Sequence, residues 1–183
     1  MQDILGQAIV GLSLNKGTMN TYFSPLSDSD LAQKYFSFLE SFEFIRTTST
    51  RYERSKLQIN IEFNETTSIG PVITFWIKSE PKFTRVELDW LFKEDFDYKK
   101  IGKHTSEEAV IAEYAAVLHN HIENLINNPD KLYLKGLKRR FVNIIKSNGL
   151  TKENYLNNIP PSASNHFHYI KNKDRKWDPA KDM

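Results

Sequence analysis

Two pairs of histidines, His119/His121 and His166/His168, come nearest in type and spacing to metal or acid–base chemistry. On a helix, positions i and i+2 lie about 200° apart, so His119 and His121 face different sides and cannot share an ion. His119 can still meet Glu123 at i+4. In an extended segment His166 and His168 would share one face, because side chains alternate along a strand. A metal site needs a third ligand at a recognised spacing, and the sequence offers none. No metal and no cofactor are therefore expected. Zero cysteines among 183 residues also remove a thiolate zinc site, a disulfide scaffold and a Cys nucleophile. A glycine-rich phosphate loop, a Gly-x-Ser-x-Gly elbow and a His-Glu-x-x-His pair are all missing from the sequence.

Charge offers two further candidates. Glu87, Asp89, Glu94, Asp95 and Asp97 place five carboxylates within eleven residues, interspersed with Lys93, Lys99, Lys100 and Lys103. The plain reading is a solvated connector. The sharper one is an acidic surface anchored by an aromatic, since aromatics flanked by charge form binding hot spots. Trp76, Glu87, Asp89, Asp95 and Asp97 are the contacts expected on that reading. The second candidate is 131–152, with seven basic residues and no acid. On a helical wheel Lys131, Lys135, Lys138, Arg139 and Lys146 cover the face opposite Leu137 and Phe141, a face that could neutralise phosphates. Over the whole chain the imbalance is small: 25 Lys+Arg against 23 Asp+Glu.

The elements that must position these groups follow from hydrophobic period. Ser27-Asp28-Ser29-Asp30 caps a helix over about 29–41, with Leu31, Tyr35, Phe38, Leu39 and Phe42 on one stripe. The period then falls to 2. Residues 44–52 read as one strand turning through Glu53-Arg54-Ser55. Leu57, Ile59, Ile61 and Phe63 alternate with Gln58, Asn60, Glu62 and Asn64, a strand with a dry and a wet face, on which Asn60→Leu should be tolerated. Residues 72–77 form the next strand. Thr84 and Glu87 have capping-box spacing for a short helix through 89–92, although Val86, Leu88 and Trp90 also alternate as a fourth strand would. A second capping box at Thr105–Glu108 opens the longest helix, 106–127. Pro129-Asp130 then divides it from another, about 131–147, that Gly149 stops. The expectation is one α+β domain over 27–159. An antiparallel meander of three strands, or four, packs against helices, and a C-terminal antiparallel helix pair closes it. Residues 160–183 read as a polar tail, with order at most around 167–170.

Residues 1–26 form a separate N-terminal segment, with Ile4, Leu5, Ala8, Ile9 and Leu12 at helical spacing. No positive charge precedes its apolar run, so no signal peptide is expected, and no run reaches the length of a membrane span. A cytoplasmic protein with no membrane partner is the resulting expectation.

The order of elements resembles small bacterial proteins of the immunity type, which are encoded beside secreted polymorphic toxins and bind them. The likeness covers about 27–147: a capped helix over 30–39, Phe42-Glu43-Phe44, Arg51-Tyr52-Glu53-Arg54, strands at 57–63 and 72–78, Trp90-Leu91-Phe92 and a helix pair. It implies a non-catalytic protein whose partner is another protein, such as a toxin domain, and it assigns no functional residue. Three functions are thus expected in order. The first is a protein-binding module without enzymatic activity. The second is a nucleic-acid binder using the basic face of 131–147, and the third a metal-dependent hydrolase built on His119, Glu123, His166 and His168.

Overall fold

The computed structural model describes residues 26–63, 70–101, 103 and 106–183, the Phe83 side chain excepted. Residues 1–25 of the expected N-terminal segment and Thr105 lie outside these residues. Helix α1 (Asp28–Phe36) opens on a reciprocal cap: Ser27 Oγ accepts from the Asp30 N–H at 3.3 Å, and the Asp30 carboxylate accepts from the Ser27 N–H. Ser37 separates it from α2 (Phe38–Ser41), where the sequence predicts one continuous helix.

The sheet has five strands where three or four were expected: β1 (Ile45–Thr48), β2 (Arg51–Arg54), β3 (Leu57–Glu62), β4 (Val72–Ile77) and β5 (Val86–Glu87). They pair antiparallel in chain order, β1-β2-β3-β4-β5, and the sheet is open. The single strand expected over 44–52 is a hairpin, because the chain turns at Ser49-Thr50 before β2 begins. Both expectations for 84–92 are met in part. Val86–Glu87 is a strand, and α3 (Leu88–Leu91) follows at once. Thr84 does not cap α3; its hydroxyl bonds the Pro81 carbonyl and the Tyr133 hydroxyl.

Register separates the two faces of the sheet. Tyr52, Ile59, Phe75 and Val86 are successive cross-strand partners, all buried. Arg51, Asn60, Thr74 and Glu87 form the neighbouring ladder on the other face. That second face is not wet at its centre. Gln58 and Asn60 are only 4% and 6% exposed. Asn60 Oδ1 accepts from Arg51 Nε at 3.1 Å and from Gln58 Nε2 at 3.0 Å, and its amide donates to Thr74 Oγ1 at 3.4 Å. Long neighbours on a five-stranded sheet exclude water from the middle strand, which alternation alone does not reveal.

After α4 (Tyr98–Ile101) come the two long helices, α5 (Glu107–Asn127) and α6 (Pro129–Ser147). Ser106 Oγ caps α5 by accepting from the Ala109 N–H at 3.2 Å. Pro129 occupies the first turn of α6, where its missing N–H costs nothing. Gly149, at φ +71°, ends α6 in the left-handed region. Helix α6 lies across β4 and β5 and also contacts α3, α5 and α7. A Cβ on Gly136 would stand 2.2 Å from Val86 Cγ1 and 3.0 Å from Leu91 Cδ2, so α6 approaches β5 and α3 as only glycine allows.

The expected tail is instead α7 (Pro161–Lys173), packed on α6. Ala163, His166 and Ile170 face inward, and Trp177 beyond the helix is also buried. Pro160-Pro161, read as the end of regular structure, starts this helix with Pro161 in its first turn. His166 and His168 therefore sit on a helix, two positions apart, and do not share a face as a strand would have arranged.

Candidate functional site

The exposed side of α6 lines a groove of about 930 Å³. Tyr133, Gly136, Leu137, Phe141 and Ile145 turn into the core, and that orientation leaves the basic residues on the opposite side. Lys131, Lys135, Lys138, Arg139 and Lys146 all line the groove, joined by Lys93 from the segment after α3. Leu134 and Val142 contribute apolar surface, Asn124, Asn128 and Asn143 polar edges, and Trp90 and Trp177 aromatic ones.

The six cations are not equivalent. Arg139 is a staple: Nη1 donates to the carbonyls of Trp90 (3.2 Å) and Leu91 (2.7 Å), and Nη2 to Glu94 Oε1 (2.8 Å). The Glu94 carboxyl lies below the usual range, first through its own backbone N–H and then through Arg139 and Lys135. Lys138 Nζ donates to Asp174 Oδ2 at 2.6 Å and lies 5.8 Å from the Trp177 ring centre. Lys93, Lys131, Lys135 and Lys146 are exposed and make no ion pair among the described residues. At about 1.5 Å per residue, the row from Lys131 to Lys146 is about 22 Å long. The sequence reading of this face did not include Lys93 or Trp90, because only tertiary contact brings them to α6.

The residues of the expected acidic surface have other work. Trp76 and Glu87 share the second face of the sheet, but Trp76 Nε1 donates to the Glu80 carbonyl at 3.0 Å, and the Arg85 guanidinium lies 5.6 Å from its ring. Glu87 and Asp89 are half-buried. Burial pushes both carboxyls up, and Asp89 adds to the shift at Glu87. Asp95 Oδ2 meets His121 Nε2 at 3.0 Å, and the imidazole stacks on Phe92 at 3.8 Å. Asp97 Oδ1 accepts from the N–H groups of Lys99 and Lys100 at the start of α4.

The histidines do not converge. His119 packs edge-on to Phe38 at 4.9 Å, and buried His166 has Nδ1 3.2 Å from the Ser162 carbonyl. Among the described residues no three His, Asp or Glu side chains are placed to hold a metal ion. None of the described helices is long and apolar enough to cross a membrane. No family model, no curated protein and no solved structure matches the chain.

Proposed function

We propose that this chain is a non-catalytic binding protein of the cell interior that holds a single-stranded nucleic acid in the groove along α6. One observation carries the reading: four exposed lysines that make no ion pair among the described residues share a groove with the half-buried ring of Trp90. A row of ammonium groups tracks a phosphate backbone, and an aromatic beside it offers a platform to an unpaired base. Paired bases in a duplex present edges rather than faces, so the arrangement favours a single strand.

The test is fluorescence anisotropy with an oligothymidylate of about 12 nucleotides. Saturable binding is expected with Kd between about 1 and 100 μM near 0.15 M salt. Four contacts imply a log–log salt slope of about −3 for a single strand. Reversing Lys131, Lys135 and Lys146 to Glu is expected to weaken binding roughly 100-fold through three lost contacts. The wild-type melting temperature should be kept, because all three side chains face solvent. Absence of saturable binding by the wild type sinks the reading.

A second reading keeps the immunity-type expectation but moves its contact surface from the acidic connector to this groove. Leu134 and Val142 between the lysines would suit an acidic, partly apolar segment of a partner protein. A polyglutamate peptide that binds as tightly as the oligonucleotide, with a shallower salt slope, would favour it.

A further inference from the structure

The segment after α7 lines part of the groove with Trp177 and Asp182, and its first residue, Asp174, reaches a lysine of that groove. Asp174 Oδ2 takes the Lys138 ammonium at 2.6 Å, midway along the lysine row. That proximity, through the hydrogen bond first, holds the Asp174 carboxyl below the usual range. Asp182 lines the groove and accepts from Trp177 Nε1 at 2.8 Å. Lys171 Nζ fixes the intervening turn by donating to the carbonyls of Arg175 (2.9 Å) and Trp177 (2.7 Å). The segment is thus tethered beside a site in which Lys93, Lys131, Lys135 and Lys146 make no ion pair among the described residues.

We propose that residues 174–183 are a built-in competitor for the groove, with Asp174 occupying the cation that an incoming phosphate would otherwise take. The inference rests on the groove being the nucleic-acid site. A tethered carboxylate acts at an effective concentration in the mM range, far above that of a ligand in solution. Lys138 is therefore withheld from the ligand, and the apparent affinity falls by the fraction of molecules in which it is free. When the ligand does win Lys138, Asp174 is released and the turn it begins loses one of its tethers to α6, the contact of Trp177 with Phe141 remaining.

The experiment compares wild type, Asp174→Asn and, as a control with the same charge change, Glu40→Gln on exposed α2, each titrated with the same oligothymidylate. Asp174→Asn is expected to tighten binding roughly 4-fold near 0.15 M salt and to steepen the log–log slope by about 0.7, one added phosphate contact. Glu40→Gln should change neither. In the wild type, amide exchange at Asp174 and Trp177, whose N–H groups bond the carbonyls of Ile170 and Asp174, should accelerate when the oligonucleotide saturates. Equal affinity and slope for wild type and Asp174→Asn, or unchanged exchange at saturation, overturns the competitor while leaving the groove reading intact. No saturable binding by either protein overturns both.

Discussion

Ile61→Asp is expected to abolish the cooperative thermal transition at neutral pH. Ile61 is 0% exposed on the central strand, opposite Ile73 on β4, in a row of buried aliphatic side chains. A carboxylate there would have no partner, and removing one ion from water costs several kcal/mol even after relaxation. A domain is stable by only about 5–15 kcal/mol in total. Burial would raise the folded-state pKa of the new Asp above its unfolded value. Its penalty is therefore full above the folded pKa and shrinks as pH falls through it, so the variant should recover structure on mild acidification. Circular dichroism melts at pH 7 and pH 5 would show this, and a cooperative pH 7 melt within a few degrees of wild type contradicts it. Asn60→Leu, one residue away on the other face, is an intermediate case. It leaves Gln58 and Arg51 without their shared acceptor, at about 1–3 kcal/mol, rather than being tolerated as simple alternation suggests.

The contrast between these neighbours marks where sequence reading succeeds on this chain. Strict alternation over 57–63 and 72–77 placed β3 and β4 and named the apolar ladder correctly. Alternation cannot say whether the other face is covered. Edge strand β1 gave no periodic signal, since its burial does not alternate: Ile45 is 71% exposed, and Thr47 and Thr48 are exposed as well. Helices α5 and α6 were legible because caps, a proline and an apolar stripe agree with one another. Helix α7 was hidden because its inward residues, Ala163, His166 and Ile170, are diluted by Asn and Lys. Half of the groove was equally plain: the basic stripe of α6 is a property of one helix. What the stripe is worth as a site was not legible. Glu94 and Asp174 engage Arg139 and Lys138 from 45 and 36 residues away, while Lys93 arrives from the acidic run. Such pairings depend on tertiary placement, and no local spacing encodes them.

Phe141→Ala is expected to destabilise the protein by about 3–5 kcal/mol, the usual cost of deleting a fully enclosed aromatic ring. The ring is 0% exposed on the inner side of α6, with Tyr155 at 6.5 Å, Phe167 at 5.4 Å and Trp177 at 5.4 Å between centroids. Each of these partners lies beyond α6 in the chain, so this one side chain anchors α7 and the segment after it to the long helix. A chain of this length loses about 2–4 °C of melting temperature per kcal/mol, giving a drop of roughly 10 °C or more. Trp177 should redden in emission as its neighbour is removed, well below the melting point. The lysines of α6 point the other way and remain in place, so oligothymidylate binding should survive at temperatures where the variant is folded. If residues 174–183 do compete for Lys138, loosening their anchor should tighten that binding, as Asp174→Asn does. Phe141→Leu, which refills most of the volume, is the matched control and should recover the larger part of the lost stability. A cost below about 1 kcal/mol for Phe141→Ala would mean that α7 is held to the domain mainly by Glu80 with Tyr169 and Lys173, not by this aromatic cluster.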